Sequence, residues 1–516
     1  MTAYQWLVFI LAVQVIHYLG TWKLYQKAGR KSWEAAVPVY NAIVLMKIIR
    51  RPTWWTLLLF LPIINLIMFP VVWVETLRSF GKKSTLDTIL GIVTFGLYIF
   101  YINYTDAKYV ENRSTKPETA AADTVSSILF AVIVATFVHT YFIQPFTIPT
   151  SSLEKTLLIG DFLFVSKMNY GARTPMTTVA APMVHDTIPI ANVKSYSKWP
   201  QLPYFRFPKF ENIKNNDIVV FNYPVDTMYN MYIKSDKRYD KPIDKKTNYV
   251  KRCVAIPGDS LSIKDGVVFV NGKELILPER AKPQHAYKFL YDRKTPVDFN
   301  YIFNDIGVTD GFAQGLGDTI IVRAMTEEGA KRLKNVPGIS AVSQIISKEP
   351  ESNIFPNAAT GWNGDNFGPI YIPKEGISVK LDLKSLPFYK KIITEYEHNN
   401  LKVIGNDIYI NDKIQTMYTF KQNYYWMMGD NRHNSLDSRY WGYVPEDHVV
   451  GKPVFIWMSW DTNGKGIHKI RWDRMFTTVG GDGQPQSYFK IFLFLLALYF
   501  AVDYGLKKRR EKKAKL

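Results

Sequence analysis

The stretch "FTIPTSSLEKTLLIGDFLFVSK", residues 146 to 167, carries two adjacent hydroxyls, Ser151 and Ser152, just beyond a long apolar run. A serine hydroxyl becomes a nucleophile only beside a base, which is either a histidine oriented by a carboxylate or a lysine kept neutral by burial. Of the eight histidines, His17 and His139 lie within apolar runs, and only His433, in "GDNRHNSLDSRYWG", sits in a motif-like stretch. A lysine near its ordinary pKa of about 10.4 is almost wholly protonated at pH 7. Lowering it to about 7 costs roughly 4.6 kcal/mol, which desolvation in an apolar pocket can supply. The candidate is Lys251 in "NYVKRCVAIPGDSL", flanked by Val250, Val254 and Ile256, with Arg252 on the opposite face of a strand. A third group lies in "GDNRHNSLDSRYWGYVP", residues 429 to 445. In an extended segment Ser435, Asp437 and Arg439 share one face, an ion pair that fixes the backbone with a hydroxyl one step along. Each stretch also has a plainer reading: a turn at Ser152, an edge lysine that snorkels at Lys251, and a polar turn rich in Asx residues at 429 to 445.

The elements that hold such groups together follow from composition and pattern. At 516 residues the chain is long enough for two or three domains with a sizeable core. The single cysteine, Cys253, excludes an intramolecular disulfide. The histidines form no pair at metal-ligand spacing, so neither a metal nor a cofactor is expected. Sixty-four basic against forty-five acidic residues leave a charge of +19. Such a surplus ordinarily raises nucleic acid as a partner. Here the basic residues gather beside apolar segments, which points to a lipid bilayer and not to nucleic acid.

Four or five stretches read as membrane-embedded: Tyr4 to Leu19, Trp54 to Val74, Leu86 to Tyr101, Val125 to Ile143 and Tyr488 to Leu506. The fourth has nineteen residues, about 28 Å as a helix, which matches a hydrocarbon core. The tail "LKKRREKKAKL" holds seven basic residues against one acidic and is expected to stay in the cytoplasm, as is the stretch Lys23 to Arg51. More than 300 mostly polar residues between the last two spans then lie outside. On a five-span count "ETLRSFGKKS" (75 to 84) also falls outside, despite Arg78, Lys82 and Lys83. Pro62 and Pro70 interrupt the segment before it, so a re-entrant or interfacial hairpin is the alternative. The first segment lacks a basic n-region and a small-residue cleavage site and is expected to be retained.

The outer block reads as mainly β. In "SIKDGVVFVNGKEL" (262 to 275) the pairs Asp265-Gly266 and Asn271-Gly272 punctuate an apolar strand with two-residue hairpin chemistry. The stretch "KVIGNDIYINDKIQ" (402 to 415) repeats the pattern, and "NDIVVFNYP" (216 to 224) and "KPVFIWMSW" (452 to 460) read as strands. A mixed region between the hairpins holds two helix candidates, Glu327 to Lys334 behind Thr326 and Leu386 to His398 behind Ser385, and reads as an insertion on a β scaffold. The aromatic run "WPQLPYFRFPKF" (199 to 210) has too many prolines for a helix, and is expected to rest in the lipid interface.

Taken together, these stretches resemble type I signal peptidases, membrane-anchored Ser-Lys proteases that remove signal peptides from exported preproteins. "FTIPTSSLEKTLLIGDFLFVSK" is similar to that family's nucleophile box, "NNDIVVFNYP" to the following strand, "YVKRCVAIPGD" to the lysine box and "GDNRHNSLDSRYWGYVP" to the closing box, in the family's order. The resemblance covers the last helix before the outer block and most of that block, apart from residues 276 to 365. It implies Ser152 as nucleophile and Lys251 as general base, with Ser435 orienting the lysine and Asp437 with Arg439 holding the local structure. It implies an oxyanion hole from the Ser152 N–H and the Thr150 hydroxyl, and shallow pockets lined by Phe146, Ile148, Leu157, Tyr249 and Val250. Ser151 replaces the family's glycine, Leu153 its methionine and Lys155 its proline.

The expected organisation is an N-terminal membrane region over 1–121, a transmembrane helix over 122–145, and a mainly β catalytic domain over 146–275 and 366–480. An α+β inserted subdomain fills 276–365, a C-terminal transmembrane helix spans 487–506, and 507–516 is a basic cytoplasmic tail. The implied location is the bacterial cytoplasmic (inner) membrane, multi-pass, with the catalytic domain outside and signal peptides as substrates. The rival classes are a Ser-His hydrolase using His433 and a non-catalytic envelope scaffold.

Overall fold

The computed structural model describes residues 3–117, 119–230, 237–308, 311–357 and 360–514. They fall into two compact units: Met1–Phe142 with Arg173–Phe207 and Ser235–Lys246, and Ile143–Ala172 with Pro208–Lys234 and Thr247–Leu516.

Among the described residues three helices are long and apolar enough to cross a membrane, namely Tyr4–Lys27 and Ala120–Tyr141 in the first unit and Phe489–Arg510 in the second. The two other apolar stretches differ from continuous spans. Residues 54 to 74 break into the helices Trp55–Phe60 and Ile64–Ser79 around Pro62, which has no N–H to donate to a helical ladder. Residues 86 to 101 form Thr85–Val93 and Leu97–Asn103, bent by 119° at Phe95 and Gly96, both at positive φ. Ser84 starts the first of these by accepting a hydrogen bond from the Asp87 N–H.

The second unit is built on an eight-stranded antiparallel sheet. Its path runs Ile143–Thr147, Asp161–Ser166, Val449–Ser459, Ile218–Asn222, Asn248–Ala255, Tyr424–Met428 and Val444–Pro445, with Thr477–Thr478 on the long Val449–Ser459 strand. The Ile143–Thr147 strand is at one end of that order and, among the described residues, has a strand partner on one side only. Two apolar clusters pack on this sheet. One holds Ile148, Leu153, Leu157, Leu163, Val220 and Ile456; the other holds Val219, Phe221, Cys253, Tyr425 and Met427. Alternation along the strands sends neighbours such as Val219 and Val220 to different clusters.

A second sheet carries the expected hairpin. Ser260–Lys264, Val267–Val270 and Lys273–Glu274 are joined by Asp265-Gly266 and Asn271-Gly272, all four at positive φ, as two-residue turns require. Residues 284 to 344 contain a separate four-stranded sheet, Gln284–Tyr291, Phe312–Gln314, Thr319–Thr326 and Ile339–Gln344, around its own core of Tyr287, Phe289, Ile320, Val322 and Leu333. The expected helix there forms over Glu327–Leu333, with the Thr326 hydroxyl accepting from the Gly329 N–H. The second candidate forms as Leu386–Lys391 and continues through Tyr396 with wider π turns, and the Ser385 side chain does not cap it.

Candidate active site

Ser152 lies in a single 3-10 turn, Ser151–Leu153, within the loop joining the Ile143–Thr147 and Asp161–Ser166 strands. It stands beside a strand and not on one. The turn is anchored from below by apolar side chains, since Leu153 and Leu157 are both 1 % exposed in the first core cluster. Backbone bonds from Glu154 to Ser151 and from Leu157 to Leu153 close it. Ser151 has no positive φ, so the position needs no glycine. Lys155 does have one, +67°, and its amine lies over Gly307 of the inserted region, where an added Cβ would strike it.

Lys251 projects from the middle of the Asn248–Ala255 strand, paired with Val219 on one side, and is 4 % exposed. Its Nζ donates to Ser152 Oγ at 2.6 Å, and Ser152 is itself 8 % exposed. Burial pushes the lysine down to about 8, against the opposing pull of Asp437 and Asp430. A serine hydroxyl thus meets an amine that loses its proton within reach of neutral pH, the pairing needed for proton abstraction.

Arg252, the next residue, turns to the other face and grips Asp430 with two bonds, Nε to Oδ1 at 2.8 Å and Nη2 to Oδ2 at 2.6 Å. Asp430 also accepts from the Thr156 hydroxyl at 2.6 Å. Asn431 N donates to the Ser152 carbonyl at 3.1 Å, and Asn434 Nδ2 to Ser151 Oγ at 3.1 Å. Three separate stretches, the serine turn, the lysine strand and the 429–439 loop, are thereby tied through Asp430. Sequence reasoning missed Asp430, Asn431, Asn434, Thr156 and Arg252 as site-forming residues, although all fall in the quoted motifs.

Asp437 and Arg439 form a buried bidentate pair, Nε to Oδ1 and Nη2 to Oδ2, both at 2.9 Å. They do not sit in an extended row with Ser435, because Asp437 caps the short helix Ser438–Trp441 and accepts from the Arg439 N–H. The aspartate also accepts from the Gly429 N–H, and Arg439 Nη2 donates to the Arg432 carbonyl at 2.6 Å, so the pair staples the loop to itself. Ser435 is buried against Gly429, where any Cβ would collide with the serine hydroxyl and the Ser152 carbonyl. Among the described residues no hydrogen bond joins Ser435 to Lys251.

The pocket candidates divide. Ile148 and Leu157 are buried in one cluster, with Phe146 and Val250 packed against it. Tyr249 points to the other cluster, where its ring stacks on Tyr223 with centroids 4.4 Å apart and meets the edge of Trp441. Thr150 is exposed and extended immediately before the serine turn. His433 is engaged elsewhere: its Nδ1 accepts from the Ala286 N–H at 3.0 Å and its Nε2 lies 3.2 Å from Asp365. Among the described residues no group of three or more His, Cys, Asp or Glu side chains is set to hold a metal.

Residues 121–338 and 379–460, more than half of the chain, match the model of the family described as signal peptidase, peptidase S26. The chain belongs to that family. Similar proteins include the signal peptidase I of Helicobacter pylori strain 26695, 27 % identical over 370 residues that cover 69 % of this chain and 92 % of the relative. That of Buchnera aphidicola subsp. Schizaphis graminum is 26 % identical over 346 residues, 65 % and 75 % of the two chains, and that of Pseudomonas aeruginosa 22 % over 408 residues, 76 % and 92 %. The family match omits 339–378, a shorter and later segment than the 276–365 set apart by pattern. Residues 33–112 match a second family, DUF5684, described as of unknown function.

Proposed function

We propose that this protein is a signal peptidase I, a serine endopeptidase that removes signal peptides from exported preproteins through a Ser152–Lys251 dyad and an acyl-enzyme. The observation that carries the reading is the 2.6 Å contact between a buried, pKa-lowered lysine amine and a buried serine hydroxyl. The cleavage segment of a preprotein pairs with the open edge of the Ile143–Thr147 strand, and its small side chains enter shallow pockets lined by Phe146, Ile148, Leu157 and Val250, with Tyr249 bordering them. Neutral Lys251 takes the Ser152 proton while Oγ attacks the scissile carbonyl, and the oxyanion is held by the Ser152 N–H and the Thr150 hydroxyl. The lysinium then gives its proton to the departing amine of the mature protein. Lys251 next activates a water, which attacks the ester and frees the signal peptide as a carboxylate. The family resemblance assigns Ser435 to orienting the lysine, although no hydrogen bond joins the two among the described residues, and Asp437 with Arg439 keep its loop in place.

The membrane-facing part of the proposal is anchoring in the bacterial cytoplasmic membrane by helices at both ends, with the catalytic block outside. Its support is the three apolar helices and the basic tail that follows the last of them.

Cleavage of a signal peptide ending in Ala-x-Ala by detergent-solubilised protein tests the dyad. The wild type is expected to cut after the second Ala, Ser152→Ala and Lys251→Ala to be inactive while folded, and His433→Ala to retain activity. A fully active Lys251→Ala protein moves the base elsewhere, and an inert wild type removes the peptidase reading.

A further inference from the structure

Residues 28 to 117 lie between the first two long helices, and most of them match the family without an assigned function. Their backbone turns back at three apolar tips and again at the polar stretches between them. The first tip falls at Val37–Val39, the second at Leu61–Ile63 and the third at Phe95–Gly96. Each contains a residue at positive φ: Val39 at +67°, Ile63 at +70°, and Phe95 at +53° with Gly96 at +82°. For β-branched valine and isoleucine this conformation is a true outlier, so these are tight, enforced turns. Around them the large apolar side chains are exposed, with Val39 at 50 %, Phe60 at 55 % and Phe95 at 81 %. The turns are poor in unpaired donors. Pro38 and Pro62 have no N–H, Asn41 N bonds to the Val37 carbonyl, Asn65 N to Leu61 and Gly96 N to Gly91. Apolar tips whose backbone groups are satisfied locally suit hydrocarbon and not water.

The opposite ends of the hairpins meet in one polar layer. Lys27 Nζ donates to the Thr105 carbonyl, Tyr109 Oη to Ile48, Val110 N to Ser79 and Arg50 to Glu111. At its centre Glu75, 4 % exposed, is held by Arg51 at 2.9 Å and Arg113 at 2.7 Å, with Arg78 at 3.5 Å. Between Lys23 and Pro117 there are thirteen Lys and Arg against five Asp and Glu.

The long helices tell the two faces apart. Trp6, near the start of the first, donates to the Gln201 carbonyl, and Tyr141, at the end of the second, packs on Phe207. Both partners belong to the Arg173–Phe207 segment, so these two helix ends share a face. The polar layer contains Lys27 and therefore lies toward the other ends. The first hairpin meets the helix at Gln14, whose side chain bonds to the Ala35 and Ala36 carbonyls and accepts from Asn41 Nδ2, about 20 Å along the helix from Lys27. Thr85–Val93 is only about 13 Å long, less than half of a 30 Å hydrocarbon core.

From this arrangement we infer that residues 28 to 117 are a monotopic module of three re-entrant hairpins, inserted from the cytoplasmic face into the bilayer and seated on its anionic headgroups through the basic layer. The chain then crosses the membrane three times. "ETLRSFGKKS" returns to the cytoplasm, in accord with its positive charge. Which face is cytoplasmic rests on the proposal that the catalytic block is outside; the hairpins themselves do not.

Single cysteines in a Cys253→Ser background test the inference with a membrane-impermeant maleimide, applied to spheroplasts and to inverted vesicles of cells carrying the full chain. The positions are Lys83→Cys in the layer, Phe95→Cys at a tip and Arg293→Cys in the catalytic unit. The expected result is Lys83→Cys labelled only in inverted vesicles, Arg293→Cys only in spheroplasts, and Phe95→Cys in neither. A five-span chain puts Lys83 and Arg293 on the same face, and that outcome overturns the hairpins, as does labelling of Phe95→Cys from the face that labels Arg293→Cys. If Lys83→Cys and Arg293→Cys label from opposite faces but with the faces exchanged, the hairpins stand and the outer location of the catalytic block falls.

Discussion

At the scale of single residues the proposed chemistry turns on the Lys251 amine. Burial lowers its pKa from 10.5 to about 8, so between those values the unfolded chain holds the proton that the folded chain has lost, and stability rises with pH. Below pH 8 the burden is complete, about 3 kcal/mol at pH 7. Lys251→Met is therefore expected to be inactive yet more stable than the wild type in urea at pH 7, by an amount that shrinks toward pH 10. For the wild type, kcat/KM on a soluble peptide should climb about tenfold per pH unit up to pH 8 and then level, because only the neutral amine accepts the serine proton. A profile that levels near pH 6 points to an imidazole. Thr150→Val should lower kcat by about 10² to 10³ with little change in KM, the signature of a lost oxyanion donor. Lys155 offers a sharper check on the loop. Its φ of +67° is closed to proline, whose ring holds φ near −65°. Restoring the family's proline with Lys155→Pro should thus distort the serine turn and depress kcat, whereas Lys155→Gly should leave the turn intact. Ser152, Lys251 and the Asp437–Arg439 pair were legible because motif spacing preserves residue type. The unsuitability of proline at 155 was not, because φ is set by how the whole loop packs.

At the scale of elements, the site depends on a clamp between the lysine strand and the 429–439 loop. Arg252 and Asp430 are both nearly inaccessible, and removing one charge leaves the other buried without compensation. Arg252→Met is expected to cost about 3–5 kcal/mol in chemical denaturation, with Asp430→Asn similar in sign and smaller. The strand pattern around Lys251 showed that Arg252 faces the other way, but its partner lies 178 residues along the chain and no local periodicity reaches that far. The aromatic run belongs to this scale as well. Trp199, Phe205 and Phe210 are 66, 53 and 76 % exposed, and within the first unit Gln201 and Phe207 touch the ends of the two long helices. Aromatic rings at helix ends are at home in the headgroup region. The double change Trp199→Asp with Phe205→Asp should slow processing of a membrane-bound preprotein in vesicles and spare cleavage of a soluble peptide; equal losses on both substrates would show a folding defect instead. The expected hairpins at 262–275 formed because Asp-Gly and Asn-Gly encode their turns locally. The apolar stretches at 54–74 and 86–101 satisfied a length and charge test, yet broke where Pro62 and Phe95-Gly96 admit a reversal that hydropathy does not register.

At the scale of the whole molecule, the proposed catalytic group of one amine and one hydroxyl requires neither metal nor free thiol. Cys253 is fully buried in the core behind Tyr425 and Met427. Chelators and maleimides should accordingly leave peptide cleavage by the folded protein unchanged, and loss with a chelator would require ligands from outside the described residues. By itself the sequence determined the family, the nucleophile and base candidates, the mainly β character of the outer block and the apolar helices at both ends, because each is written in residue type at short range. Only the tertiary structure decided that Lys251 reaches Ser152, that Asp430 binds three distant stretches into one site, that His433 is occupied by Ala286 and Asp365, and that the apolar stretches at 54–74 and 86–101 are broken helices. Those outcomes depend on which surfaces exclude water together. Desolvation lowers the lysine pKa and makes buried ion pairs obligatory, and it exists only once segments far apart in the chain have closed over the same space.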